Sequence, residues 1–194
     1  IVPIQTTATA TMGTVTNSIP ANAVVTSQGN NLLSVRGDLS LTRALSVATS
    51  WTPSTVVAGQ ASRATITLTH GNGAQALTGL GFTDNLTATM GAGHVVANPS
   101  NASTTCTGAT VIANPGSAIV TMSGGSLGLG ATSCTAVFDV ITPISDGSGQ
   151  NIVYSTSVTN NQGVLPNDGT GNANATLNRY VNSVTVNNSI APAV

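Results

Sequence analysis

Apolar and polar residues alternate with period two along much of the chain. In residues 64–70, ATITLTH, Ile66 and Leu68 fall on one side and Thr65, Thr67 and Thr69 on the other, as in a half-buried strand. In residues 134–141, CTAVFDVI, the same period sets Val137 and Asp139 against Ala136, Phe138 and Val140. Further runs predict strands at ATATM, AVVTS, DLSLTRALSVATSW, LTGLGFTDNL, TGATVIA, AIVTMSG, NIVYSTSVTN, NATLNRY and NSVTVNN. No stretch carries a convincing amphipathic helical period. Turn pairs fall between the runs, at Asn72-Gly73, Gly124-Gly125, Asp146-Gly147 and Asp168-Gly169. Short strands spaced by about 8 to 12 residues predict an all-β sandwich.

Composition narrows the function classes. The chain has 194 residues, a net charge of −1 and 5% charged residues. It has no Lys and no Glu; its charges are Arg36, Arg43, Arg63 and Arg179 against Asp38, Asp84, Asp139, Asp146 and Asp168. Nucleic-acid binding needs a basic patch, and so does docking on anionic lipid. Four scattered arginines make neither. An apolar content of 40% is enough to bury a core, so the chain reads as folded. No apolar run reaches the roughly 18 residues of a membrane helix. At 3% aromatic residues the girdles of a membrane barrel are missing. A chain starting at Ile1 suggests a removed leader peptide.

Cys106 and Cys134 are the two cysteines, too few for a metal site. The favoured reading is a disulfide formed in an oxidising compartment; the alternative is two reduced, buried thiols.

Residues 51–180 carry a further signal. WTPSTVVAGQASRATITLTHGNGAQALTGLGFTDNL is followed by CTGATV, MSGGSLGLGATSCTAVFDVIT and NIVYSTSVTNNQG. Pro53, Gly59, a Thr-rich strand, Phe82-Thr83-Asp84, Cys106, a Gly-Gly pair and Cys134 occur in that order. The set resembles a bacterial family of tandem Ig-like repeats of unknown function in secreted and outer-surface proteins. His70 and Thr87 depart from it, standing where the family tends to have Asn and Pro. The resemblance implies an Ig-like β-sandwich and a surface location, and no catalysis.

Two separated stretches also resemble each other. Residues 26–43, TSQGNNLLSVRGDLSLTR, and 159–179, TNNQGVLPNDGTGNANATLNR, both run from Thr through Gln-Gly to an alternating strand ending in Arg. Gly29 and Gly163 are 134 positions apart and Arg43 and Arg179 are 136 apart, an internal period of roughly 135. Residues 1–47 thus read as an arm resembling the last strands of a repeat. Residues 48–180 read as the sandwich domain, and 181–194 as a tail strand resembling the start of another repeat. Unpaired edges and apolar grooves would then need covering.

The function expected is a secreted structural subunit of an extracellular filament or surface coat. Its partners would be copies of itself, joined head to tail by β-strand complementation. The candidate donor strand is Thr7, Ala8, Thr9, Ala10, Thr11 and Met12, whose small alternating side chains suit a narrow groove; its bland reading is an ordinary first strand. Val184 and Val186 in the tail form the rival donor. The alternative function is an adhesin or binding module of a longer tandem-repeat surface protein. A polysaccharide-binding accessory domain is a weaker option; its aromatic inventory is Trp51, Phe82, Phe138, Tyr154 and Tyr180.

Catalytic motifs are poor. His70 and His94 with Asp84 and a serine contain the residue types of a triad, but no nucleophile elbow occurs, and both histidines read as exposed turn residues. Without Glu, paired-carboxylate hydrolysis has little support. Asp146 and Asp168 read as turn residues more readily than as Ca²⁺ ligands. The RGD tripeptide at 36–38 reads as a hairpin turn with a local ion pair, with adhesion as its sharper alternative. Asn85, Asn101, Asn174 and Asn187 sit in glycosylation sequons. Trp51 reads as an anchor in the core or at an interface. No enzymatic activity, catalytic residue, cofactor or metal is assigned.

Overall fold

The computed structural model describes residues 13–41, 45–71, 76–129, 133–164, 166 and 171–182. It is an all-β sandwich preceded by a separate two-stranded hairpin. In chain order the strands are β1 (Gly13–Ile19), β2 (Val25–Thr26), β3 (Gly29–Asn30), β4 (Val35–Leu41), β5 (Leu45–Thr52), β6 (Thr55–Val57), β7 (Ala61–His70) and β8 (Leu77–Asn85). A one-turn helix, α1 (Leu86–Met90), follows. Then come β9 (Val95–Val96), β10 (Ser103–Thr104), β11 (Thr110–Ile112), β12 (Ile119–Leu127), β13 (Ser133–Ile141), β14 (Gly147–Val153), β15 (Val158–Thr159) and β16 (Ala173–Tyr180).

One sheet of the sandwich has the order β10-β13-β7-β5, with β9 also on β13. A second has the order β11-β12-β8-β15 and a third β14-β16-β6. The pairings are antiparallel except β16 with β6, which is parallel. Alternation decides what each strand buries. Along β7, Ala64, Ile66 and Leu68 are buried, and along β13, Cys134, Ala136, Phe138 and Val140 are buried. Side chains from all three sheets meet in one core with Leu45, Trp51, Phe82, Val153 and Leu177. The indole Nε1 of Trp51 donates to the Ala175 carbonyl at 3.2 Å, so this residue is a core anchor tying β5 to β16.

Several local expectations change. The predicted run 38–51 is two strands, β4 and β5, separated at residues 42–44. Because β5 starts at Leu45, the sandwich begins earlier than residue 48. Gly124-Gly125 is not a turn between strands: it lies inside β12, where pairing with β8 shifts register around Gly125. Gly124 has φ +78°, a left-handed conformation that suits Gly in a bulge. The run NIVYSTSVTN divides into β14, a short 3-10 turn (Ser155–Ser157) and β15. The short helix α1 was not expected; Asn85 caps it, its Oδ1 accepting from the Ala88 N–H at 3.1 Å. Asn72-Gly73 and Asp168-Gly169 lie outside the described residues.

Candidate functional site

The disulfide between Cys106 and Cys134 is formed, with 4.8 Å between the Cα atoms. It ties the loop after β10 to the start of β13. The donor candidates Thr7, Ala8, Thr9, Ala10, Thr11 and Met12, and the rival Val184 and Val186, lie outside the described residues.

What is described is the surface such donors were expected to serve. β1 and β4 form an antiparallel pair, from Gly13↔Leu41 to Ile19↔Val35, and their sheet contains no other strand. Cross-strand partners share a face. Val15, Ile19, Val35, Leu39 and Leu41 therefore share one face, and Thr14, Thr16, Ser18, Arg36, Asp38 and Ser40 the other. Ile19, Val35 and Leu39 are exposed, and nearby Leu32 and Leu33 are 85% and 78% exposed. An amphipathic two-stranded sheet with a bare apolar face is marginal by itself.

The β14–β16 pair shows how such a sheet is covered. A shift of 136 residues carries Gly13↔Leu41 onto Gly149↔Leu177 and the rest of the register with it. In β14–β16 the corresponding face is buried, including Asn151, Val153, Ala173 and Leu177. β5 packs against it, and β6 closes the far edge of β16.

The candidate chemical groups separate into small structural networks. RGD does not form a turn. Arg36, Gly37 and Asp38 lie within β4 opposite Ser18, Asn17 and Thr16. Asp38 accepts from Arg36 Nε at 2.8 Å and from Thr16 Oγ1 at 2.6 Å. Those hydrogen bonds, Arg36 first, hold its carboxyl below the usual range. The histidines are buried and not exposed, because His70 ends the inward row of β7 and His94 lies under β14 and β16. His94 Nδ1 donates to the Gly91 carbonyl at 3.0 Å, leaving Nε2 to accept from Arg179 Nη1 at 3.3 Å. Burial lowers its pKa, partly offset by the Gly91 bond, and the Arg179 charge lowers it further. Asp84 belongs to a different network, so the triad residue types are not assembled around His94.

Asp84 is the buried polar group that pattern reading overlooked. It is 1% exposed. Its Oδ2 accepts from Asn151 Nδ2 at 2.9 Å, and its Oδ1 has no hydrogen-bond partner. Asn151 Oδ1 in turn accepts from Thr89 Oγ1 at 3.2 Å. The network joins the end of β8 and α1 to β14. Burial raises the Asp84 pKa to about 6, with the Asn151 bond pulling the other way. A signal existed in the sequence: Leu80, Phe82 and Asp84 stand at spacing two, which puts the carboxyl on the inward face.

The remaining candidates are ordinary in place. Asp146 accepts through Oδ1 from the Val181 N–H, while Asp168 is not described. Trp51, Phe82 and Phe138 are in the core, and Tyr154 and Tyr180 are exposed. Among the described residues no three His, Cys, Asp or Glu side chains are grouped to hold a metal. Among them, too, no helix is long and apolar enough to cross a membrane.

A family model, a domain of unknown function named DUF7933, matches residues 46–178, and the chain belongs to that family. The match begins inside β5 and ends inside β16, so it spans the sandwich and leaves out the hairpin. No curated protein matches the chain.

Proposed function

We propose that this protein is a structural subunit of an extracellular filament or surface coat. It is built from Ig-like sandwiches in series and assembles with copies of itself by completing unfinished sandwiches. The observation that carries the reading is the hairpin β1–β4. It repeats the register of β14–β16 at a shift of 136 residues, yet its apolar side chains are exposed where those of β14–β16 are buried. On this reading residues 13–41 are the second half of a sandwich whose first half comes from elsewhere. The disulfide and the near-absence of charge suit an oxidising exterior.

The second reading is a module of a longer tandem-repeat surface protein, in which the completing half lies on the same polypeptide. The family match favours it, since residues 46–178 amount to about one internal period. Negative-stain electron microscopy of the purified chain separates the two, with sedimentation across a concentration series. Fibres or concentration-dependent oligomers are expected. Monodisperse monomers at all concentrations overturn the filament reading and leave the tandem module.

A further inference from the structure

The partner of the bare hairpin face can be named more closely, on the reading that the chain assembles with itself. In the sandwich, the strand that lies over β14–β16 is β5, whose inward residues are Leu45, Val47 and Trp51. A shift of 139 residues carries Leu45 to Val184, Val47 to Val186, Trp51 to Ile190 and Pro53 to Pro192. Each buried apolar position of β5 thus has an apolar counterpart in the tail, in the same order and spacing. The hairpin repeats β14–β16, and the tail repeats β5. The first has a face with no cover, and the second has no seat in its own sandwich, where the native β5 already holds it.

We propose that residues 183–192 of one copy lie across the apolar face of the β1–β4 hairpin of a second copy, as β5 lies across β14–β16. The donor on this account is the C-terminal tail, not residues 7–12. A second copy is specified by the order of elements. β4 leads after three residues into β5, and β5 packs in the sandwich that follows it and not back on its own hairpin. The tail stands to β16 as β5 stands to β4, so it too leads onward into the next unit. Val184, Val186 and Ile190 would meet Ile19, Val35 and Leu39, apolar against apolar with no charge to desolvate. One tail and one face per copy give a head-to-tail contact that does not close on itself.

Two altered chains test this. One lacks residues 183–194 and keeps its face; the other keeps its tail and carries Val35→Asp with Leu39→Asp. The unmodified chain should self-associate in analytical ultracentrifugation. Each altered chain alone should associate at least tenfold more weakly, and an equimolar mixture should form a one-to-one dimer. A third chain, Val184→Asp with Val186→Asp, leaves every described residue intact and should match the deletion. The unchanged thermal transition of the sandwich in each variant checks folding. If the tail-deleted chain assembles as well as the unmodified one, the tail is not the donor, although self-assembly stands. If the unmodified chain stays monomeric, the self-assembly reading falls and this inference falls with it.

Discussion

Replacing Asp84 with Asn should change how stability depends on pH. Asp84 is buried, one oxygen is unpaired and the other accepts from Asn151. Burial disfavours the charged form, so the folded-state pKa rises from 3.8 to about 6. A carboxyl with a raised folded pKa binds its proton more tightly in the folded state. Below about pH 4 both states are protonated and the group has no effect. Between about pH 4 and 6 the unfolded chain loses the proton while the folded one keeps it, so stability falls as pH rises. Above about pH 6 the loss is complete. At about 1.4 kcal/mol per pKa unit it amounts to about 3 kcal/mol. Asn has nearly the shape of the protonated acid, can accept the same hydrogen bond from Asn151 and does not titrate. His94 works in the opposite direction nearby: its lowered pKa adds stability as pH rises toward the ordinary His range. The observable is therefore the difference between two urea-unfolding curves, Asp84→Asn minus the unmodified chain, measured from pH 4 to pH 8. That difference should rise by about 3 kcal/mol and level off near pH 7. A flat or falling difference would mean that Asp84 is solvated or paired in the folded state, and the account of the buried network would be wrong.

Other consequences follow from the same packing. Reducing the Cys106–Cys134 bond, which spans 28 residues, should remove about 3.5 kcal/mol by the loop-entropy argument, read as a lower melting temperature in reductant. Phe138→Ala empties a fully buried core position on β13 and should cost about 3–5 kcal/mol in urea unfolding. Gly81→Ala puts a Cβ 2.5 Å from the Met122 backbone oxygen across the β8–β12 pair. It should cost about 1–3 kcal/mol, and a variant as stable as the original would show that the two strands can separate there. Leu39→Asp should leave the sandwich transition unchanged, because β1–β4 pairs with no sandwich strand.

Period-two alternation is a local property, and where it was strong the sequence already held the answer. ATITLTH and CTAVFDVI bury the residues their spacing indicates, because successive strand side chains point to opposite sides whatever lies beyond. The disulfide and the all-β class were legible for similar reasons: two cysteines, frequent turn residues and no helical period. The likeness of residues 26–43 to 159–179 was legible too, as a repeat. Partners distant in sequence were not. Alternation does not say that β6 runs parallel to β16, that Asn151 comes to Asp84, or that two glycines make a bulge and not a turn. Nor does it tell a hairpin covered by β5 from one left bare; β1–β4 and β14–β16 share a register and differ in what packs on them. Tertiary structure decided those points, because sheet order and the solvation of a buried carboxyl depend on contacts between residues far apart along the chain.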